Sequence, residues 1–239
     1  MRKAYIDLHT HSVLSRHAYS SLTENIEYAA QNDLLIYGIS EHQPDDVNVG
    51  AHKYAFGNCA RIAPKKFKDT RVLVGIELNI LDGHFDTFGI NMQKLAYGIA
   101  SMHAYAYSPK DHDYKDNTDN YLMALNTDYV NILGHIDYPA FPFDHEKIVK
   151  EAKRCGKLIE LNNASLDPDG SRKGARQIDE DILRLCMKYE CPILLSSDAH
   201  IKYEIGNFDN CYDLLDELGF PEDLIINYDP DRLHDYVRF

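Results

Sequence analysis

Short apolar runs with the character of buried parallel strands recur along the chain at nearly regular intervals. The first precedes a histidine pair, and the others cover residues 34–39, 71–76, 95–101, 129–134, 157–161 and 192–196. Polar residues follow at positions 11, 42, 77, 103, 135, 162 and 198, spaced 26 to 36 residues apart, close to the roughly 30 residues of one βαβ unit. Seven strands alternating with helices predict an α/β fold, best fitted by a (β/α)7 TIM-like barrel.

Helix signals lie between these runs. Ser21 and Glu24 have capping-box spacing ahead of apolar residues at helical intervals, which predicts a helix over about residues 22–32. Gly156 follows another amphipathic stretch at a position typical of a helix end. Residues 43–63 have no clean period and are interpreted as a long loop with at most one helix.

The organisation predicts one domain over residues 1–239. No low-complexity stretch or linker divides the chain, and no Gly-x-Gly-x-x-Gly follows the first strand, which disfavours a dinucleotide-binding fold. The longest apolar runs are too short to span a bilayer, and no signal peptide is recognisable. These features predict a soluble, cytoplasmic protein without membrane partners.

Charge and cysteine content narrow the function further. The formal net charge of -13 disfavours binding to duplex nucleic acid through phosphate neutralisation. A small anionic substrate would therefore need metal ions or a few basic side chains. The five cysteines are scattered and form no Cys-x-x-Cys pair, so they are interpreted as small core residues of a reducing compartment.

Side chains of metal-ligand type stand at or just after six of the seven predicted strand ends. The opening strand ends in His9-Thr10-His11, whose alternate positions point both imidazoles to one side. Seven imidazoles and two carboxylates suit zinc, with iron or manganese as rivals, and do not suit structural calcium. The candidate ligands are His9, His11, His17, His42, Glu77, His103, His135, Asp198 and His200.

These segments resemble the motifs of the PHP (polymerase and histidinol phosphatase) family, most closely its YcdX-like phosphatase branch. The matching motifs are Asp7-Leu8-His9-Thr10-His11, His17-Ala18-Tyr19-Ser20, Ser40-Glu41-His42, Gly75-Ile76-Glu77, Gly134-His135 and Ser197-Asp198-Ala199-His200. The resemblance covers nearly the whole chain, in order. It implies a PHP-type metal-dependent hydrolase domain, built as a distorted seven-stranded barrel with three clustered metals, usually zinc.

The resemblance also implies three ligand sets. One metal would take His9, His11, Glu77 and Asp198; a second His103, His135 and a bridging Glu77; a third His17, His42 and His200. Glu41 stands where the branch often has Asp, and either carboxylate could orient His42.

This arrangement suits phosphate ester hydrolysis. Two ions that share a carboxylate can hold a hydroxide of lowered pKa, placed by Glu77 and Asp198, while a third grips phosphate oxygens. Ser165, Arg172 and Lys173 also have likenesses in the branch. Arg172 could clamp phosphate bidentately and Lys173 could act as a point charge, whereas the alternative is that both merely solvate a loop.

The first functional prediction is therefore a metal-dependent phosphomonoesterase acting on a small phosphorylated molecule. Its rivals are a PHP-type nuclease or phosphodiesterase acting on single-stranded nucleic acid ends, and a non-catalytic metal-binding regulatory module. The excess of acidic over basic residues disfavours the nuclease. The presence of all nine candidate metal ligands disfavours the non-catalytic module. Tyr19 is expected near the ligands and His52 is a possible substrate contact, whereas His84, His112, His145 and His234 are assigned to the surface or to loops.

Overall fold

Strands and helices alternate along most of the chain in a computed structural model that describes residues 3–45 and 47–239. The strands are β1 Ile6–Asp7, β2 Ile36–Ile39, β3 Lys66–Phe67, β4 Thr70–Val74, β5 Ile76–Asn79, β6 Gly98–Ser101, β7 Ile132–Leu133, β8 Leu158–Asn162 and β9 Ile193–Ser196. The α-helices are α1 Leu22–Gln31, α2 Lys53–Ile62, α3 Tyr114–Leu125, α4 His145–Cys155, α5 Ala175–Tyr189 and α6 Asp209–Leu218. Short 3-10 helices cover Met92–Lys94, Lys202–Glu204, Glu222–Leu224, Ile226–Tyr228 and Pro230–Asp235.

The predicted helix boundaries follow their local signals. Ser21 and Glu24 form the predicted capping box, and α1 begins directly after Ser21. Gly156 ends α4 with φ of 63°, the left-handed conformation that glycine adopts without a steric penalty. The long loop after β2 contains one helix, α2, as the sequence allowed.

The strands form two sheets. The first has the order β1-β2-β4-β3 and is parallel except for the β3–β4 hairpin, and the second has the all-parallel order β5-β6-β7-β8-β9. The α/β fold with parallel strands is thus confirmed. A single closed sheet is not formed among the residues described, so the predicted barrel is not confirmed. The two sheets are joined by isolated bridges from His42 to Glu77 and from Thr10 to Ala199.

Gly75 lies between β4 and β5. Its amide donates to Ile39 O on the β2 side at 2.8 Å, and the next amide, of Ile76, donates to Tyr97 O on the β6 side at 3.3 Å. Successive amides of an extended segment point to opposite sides, so the segment from β4 to β5 pairs with β2 on one side and with β6 on the other. This segment therefore lies where the two sheets meet.

Apart from β3 and Arg71 of β4, the strands are buried on both faces, which explains their nearly continuous apolar sequences. One apolar cluster contains side chains from strands of both sheets and from the C-terminal segment. The strand members include Ile6, Ile36, Leu73, Ile99, Ile132, Leu158 and Leu194, and the C-terminal members are Ile226, Leu233 and Val237. The opposite strand faces pack against the helices in a second, larger cluster. Within the described part of the chain, none of the helices combines the length and apolar character needed to cross a membrane.

Replacement of Gly75 by alanine tests how closely the segment from β4 to β5 packs against Tyr97. A Cβ there would lie 2.5 Å from two ring carbons of Tyr97, a ring that is buried and donates its hydroxyl proton to Leu8 O at 2.6 Å. We expect Gly75→Ala to lower the free energy of unfolding by about 2 kcal/mol, because the ring cannot move aside without losing that bond. The measurement is urea denaturation.

Gly57→Ala is the matched control, because a Cβ at this exposed site in α2 meets no atom within 4 Å. Alanine should raise the stability there by about 0.5–1 kcal/mol. Equal denaturation midpoints for the two variants would contradict the assigned packing.

Candidate metal centre

The carboxyl ends of the strands bring the predicted ligands together. His9 and His11 follow β1 and have no exposed surface, His42 follows β2, and Glu77 lies within β5. His103, His135, Asp198 and His200 follow β6, β7 and β9, while His17 comes from the loop after β1. All nine predicted side chains therefore meet at one end of the two sheets.

Two of these residues have unusual backbone conformations. His135 has φ of 28° and Asp198 has φ of 55°, values in which a side chain normally crowds the backbone. Such conformations persist only where the surroundings enforce them, and they concentrate at functional sites.

Glu77 is at the centre of the cluster. Both of its carboxylate oxygens are fully buried, and imidazole nitrogens approach each of them. Around Oε1 lie Nε2 of His135 at 2.9 Å and Nε2 of His103 at 3.3 Å; around Oε2 lie Nδ1 of His42 at 2.7 Å, Nε2 of His9 at 3.3 Å and Nε2 of His11 at 3.6 Å. Five imidazoles from four strand ends thus converge on one carboxylate.

Asp198 forms the second centre. Its Oδ1 lies 3.3 Å from Nε2 of His11 and 3.5 Å from Nε2 of His9. His200 lies beside it, and the Nε2 atoms of His200 and His17 are 2.7 Å apart. His17 and His200 are the more exposed members of the cluster and mark its mouth.

Four sets of three side chains place their ligand atoms within 4.8 Å of one another. They are His9, His11 and Asp198; His9, Glu77 and His135; His42, Glu77 and His103; and His11, His42 and His200. The first set lies within the ligand set that the family resemblance implies for one metal. The others share residues between the predicted sets, and His17 joins the cluster through its contact with His200.

Unpaired buried atoms show that these residues fit metal ions. Neither ring nitrogen of His11 or His42 has a hydrogen-bond partner among the described residues, nor do Nε2 of His9, Nδ1 of His135 or Oε2 of Glu77. The short approach of His42 to Glu77 therefore lacks hydrogen-bond geometry. Buried polar atoms are rarely left unpaired, and nitrogen and carboxylate oxygen donors aimed at common points are typical of zinc, iron or manganese sites.

Several pKa shifts in the cluster favour the protonation states of metal ligands, whereas neighbouring carboxylates raise the pKa of His9 and His42 against the effect of burial. Burial alone would raise the pKa of Glu77, but the imidazoles of His42 and His9 hold it well below its usual value. The pKa of Asp198 is likewise lowered by its histidine neighbours against the effect of burial. Burial lowers the pKa of His103 and, together with neighbouring imidazoles, that of His17, in each case to about 4. These carboxylates are therefore charged and these two rings neutral at pH 7.

An outer ring of side chains orients the ligands. Nδ1 of His9 lies 2.7 Å from Glu160 Oε1, and Nδ1 of His103 lies 2.7 Å from Asn79 Oδ1. With Nδ1 as the donor in each pair, Nε2 keeps its lone pair toward the cluster. Sequence reasoning missed both partners, although a glutamate within an apolar run was a usable signal for Glu160.

The Glu41 carboxylate has a different role from the one predicted. It accepts hydrogen bonds from the amides and hydroxyls of Ser12 and Ser15, and Ser15 Oγ in turn accepts from the amide of His42 at 3.0 Å. Side chains of successive extended residues point to opposite sides, so Glu41 faces away from the cluster. It fixes the loop that carries His17 and does not hold the His42 ring.

The predicted substrate-binding residues divide into two kinds. Arg172 Nη1 lies 3.4 Å from Asp198 Oδ2 and donates to Ser165 Oγ at 2.9 Å, which places its guanidinium at the cluster. Ser165 is buried behind Arg172. Lys173 is exposed, and no described contact joins it to the ligands.

The remaining predicted residues lie away from the ligands or at the surface. Tyr19 is 76% exposed. His52 caps α2 by accepting from the amide of Tyr54. The rings of His112 and His234 stack on Tyr107 and Phe239, so both have packing roles.

Known proteins resemble this chain along nearly its whole length. Residues 7–167 match the family model described as PHP domain. A probable phosphatase of Clostridium acetobutylicum is 39% identical over 99% of this chain and 95% of its own length.

Two solved structures share the fold. The first is a histidinol phosphate phosphatase of Lactococcus lactis, crystallised with zinc, L-histidinol and phosphate, with a TM-score of 0.64, 18% identity and coverage of 91% of this chain and 95% of that one. The second is a putative histidinol phosphatase of Listeria monocytogenes, with a TM-score of 0.67, 17% identity and coverage of 87% and 99%.

Metal removal tests the fit of the cluster to cations. Three buried carboxylates, Glu77, Glu160 and Asp198, and the unpaired imidazoles are best balanced when cations are bound. We expect chelation to lower the melting temperature by about 10 °C, since bound metal stabilises only the folded chain. The measurement is thermal unfolding before chelation, after it, and after zinc or manganese is added back. An unchanged melting curve at a metal content of zero would contradict the fit.

Proposed function

Because the chain belongs to the PHP domain family, we propose that it is a metal-dependent phosphatase that hydrolyses a small phosphomonoester. The observation that carries this proposal is the convergence of five imidazoles on Glu77, with the Arg172 guanidinium beside Asp198 in the same cluster. A permanent cation beside a proposed site for metal ions is the combination that suits a phosphate dianion, and it supports the proposal.

The proposed ligands are the nine side chains predicted from the sequence, and the proposed complement is three ions, zinc first and manganese or iron as alternatives. In support, eight of the nine belong to sets of converging ligand atoms, and the ninth, His17, contacts His200. Such ions supply Lewis acidity and activated water to phosphate ester hydrolysis.

The chain itself contributes binding, orientation and exclusion of water. Arg172 can offer its guanidinium fork to two phosphate oxygens, and we propose that Lys173, its exposed neighbour in sequence, adds positive charge. Glu160 and Asn79 hold the rings of His9 and His103 in place. Glu77 and His9 lie at the bottom of the cluster with no exposed surface, so ester and water approach from the side of His17 and His200.

A small phosphorylated molecule is the proposed substrate class. His17 and His200 lie on the exposed side of the cluster, and the chain has an excess of acidic residues, 38 against 25 basic ones. A long polyanion would meet repulsion outside the cluster. The Lactococcus lactis protein of similar fold was crystallised with L-histidinol and phosphate, which also favours a compact ester.

We further propose that the two sheets are the halves of one distorted barrel. Strands of both sheets contribute to one inner apolar cluster. The bridges from His42 to Glu77 and from Thr10 to Ala199 join the two sheets at the end that carries the ligands. The metal cluster would then close the carboxyl end of the barrel.

A comparison of two model esters tests the reaction class. We expect the metal-loaded protein to hydrolyse p-nitrophenyl phosphate at least about tenfold faster than bis(p-nitrophenyl) phosphate, because Arg172 and the metals together match a dianion. Steady-state kinetics on both esters give the ratio. Robust diesterase activity without monoesterase activity would replace the proposal with the nuclease alternative, and full metal occupancy without either activity would favour a binding module.

Substitution of Glu77 tests the bridging role. Glutamine keeps the shape but loses the charge and one acceptor oxygen, so Glu77→Gln should reduce metal content and lower kcat by more than about 100-fold, the upper range for loss of an outer partner. His17→Ala, at the exposed side, should remove at most one metal per chain and chiefly raise KM. Metal analysis and kinetics are measured on both variants. His84→Ala, an exposed control, should match the parent protein.

Three metals and near-normal turnover in Glu77→Gln would show that Glu77 does not bridge ions. Equal metal loss in His17→Ala and Glu77→Gln would show that the cluster does not divide as proposed.

A further inference from the structure

A cavity of about 700 Å³ opens beside β4, away from the predicted metal ligands. Its walls are the residues before β3, the strand β4, the 3-10 helix that precedes β6, and residues 238–239. Glu77 and His103 come later along the same chain segments, at their carboxyl ends. A volume of this size is typical of pockets that bind small molecules. The cavity is therefore a second candidate binding site, separate from the metal centre.

Basic side chains from several segments line this cavity. They are Lys65, Lys66, Arg71, Lys94 and Arg238. Among the lining residues that the structure describes, none has a carboxylate side chain. The chain as a whole has a formal net charge of -13, so this local excess of positive charge runs against its composition. Like charges held close together repel one another unless an anion offsets them, and the cavity therefore favours an anionic ligand.

Most of these cations lack an acidic partner. Asp69 lies 3.7 Å from Lys66 Nζ, and Lys65 Nζ donates to Ala60 O at 2.9 Å. No carboxylate of the described part of the chain forms a salt bridge with Arg71, Lys94 or Arg238. The charges of these three side chains are therefore available to a ligand.

Contacts within the protein hold two of the cationic segments beside the cavity. The Arg238 amide donates to Ala96 O at 2.9 Å. The Phe239 ring stacks on His234 at 3.7 Å between centroids, and the Arg71 guanidinium lies 4.8 Å from the centre of the same ring. A site whose walls are already in place loses less conformational entropy when a ligand binds.

The floor of the cavity is apolar. Val72, Leu73, Val74 and Leu95 are buried and line it together with Ala96. A bare inorganic anion would leave this apolar surface facing water, whereas an apolar group on the ligand would cover it. The combination of cationic walls and an apolar floor therefore favours an organic anion.

We propose that this cavity binds a small organic anion with an apolar group and at least two phosphate groups, the chemical class that includes nucleoside diphosphates. One phosphate group carries at most about two negative charges, so a single phosphate would leave most of the cations unbalanced. Arg71 and Arg238 offer planar forks to phosphate oxygens, and Lys94 offers a point charge. This inference does not rest on the proposed phosphatase function, because no lining residue is a predicted metal ligand or substrate contact.

The test is calorimetric titration of the metal-loaded protein with the ADP analogue in which a methylene group joins the two phosphorus atoms. We expect Arg71→Glu and Lys94→Glu each to weaken binding at least about tenfold, because each change replaces an attraction with a repulsion. Arg184→Glu reverses the charge of an exposed arginine of α5 outside the cavity, so this matched control should keep the parent affinity. Metal content should equal that of the parent in all three variants.

A variant of the metal centre locates the binding event. Arg172→Ala should keep the affinity of the parent for the analogue, since Arg172 does not line the cavity. Binding that is lost in Arg172→Ala but kept in Arg71→Glu and Lys94→Glu would place the ligand at the metal centre and overturn the inference. Should Arg71→Glu fail to fold because of its contact with Phe239, Lys94→Glu alone decides.

Pyrophosphate and adenosine test the two parts of the proposed ligand class. Each should bind the parent protein at least about tenfold more weakly than the analogue, because pyrophosphate leaves the apolar floor uncovered and adenosine leaves the cations unbalanced. Pyrophosphate that binds as tightly as the analogue would overturn the organic part of the proposal. A parent protein that does not bind the analogue would overturn the site itself, while hydrolysis of p-nitrophenyl phosphate would still support the proposed phosphatase function.

Discussion

The buried carboxylate of Glu77 is the interaction on which the rest of the site depends. An isolated charged carboxylate is costly to bury, and here five imidazole nitrogens within 3.6 Å face that charge. Neutral imidazoles offer lone pairs, which repel a carboxylate unless a proton or a metal ion lies between them. This geometry is therefore stable only when protons or metal ions lie between Glu77 and the imidazoles. Each strand end that carries a histidine supplies one or two of these imidazoles.

The backbone around Glu77 shows how the fold fixes this position. The Glu77 amide donates to Glu41 O at 3.0 Å, and its carbonyl accepts from the Gln43 amide at 2.8 Å, while Ile99 pairs with Glu77 from the other side in β6. Glu77 thus lies where the two sheets meet, two residues after Gly75. Because the segment from β4 to β5 pairs on both sides, Glu77 lies within reach of ligands from both sheets.

Much of this arrangement could be predicted from the sequence because its signals are local. Buried parallel strands have continuous apolar sequences, and the residue that follows each run, such as His42 or His135, must lie at the carboxyl end. The separation of β4 from β5 at Gly75 was not predicted, since residues 70–79 have one continuous, mostly apolar pattern. Strand lengths were also overestimated, as in β7, because apolar residues continue beyond the hydrogen-bonded pairs.

The limits of prediction within the site have a physical cause as well. A motif shows which side chains lie at a strand end, but the grouping of ligands depends on distances between strands. His11, for example, approaches both Asp198 and the His200 ring, and the spacing of these residues in the sequence does not show this. Outer partners are harder to predict still. Glu160 lies within an apolar run and makes two bonds, to His9 Nδ1 and to the His135 amide, and it thereby ties strand ends β1 and β7 to β8.

The side chains that hydrogen-bond to the predicted ligands, Glu160 and Asn79, explain how the ligands keep their positions although the strands before them are short. β1 and β7 each have only two residues in ladder pairing, too few to fix the loops that follow. Glu160 anchors His9 and the His135 amide, and Asn79 anchors His103. Hydrogen bonds from buried polar side chains thus replace the missing ladder bonds, so the rigidity of the site comes from the polar layer beneath the ligands as much as from the sheets.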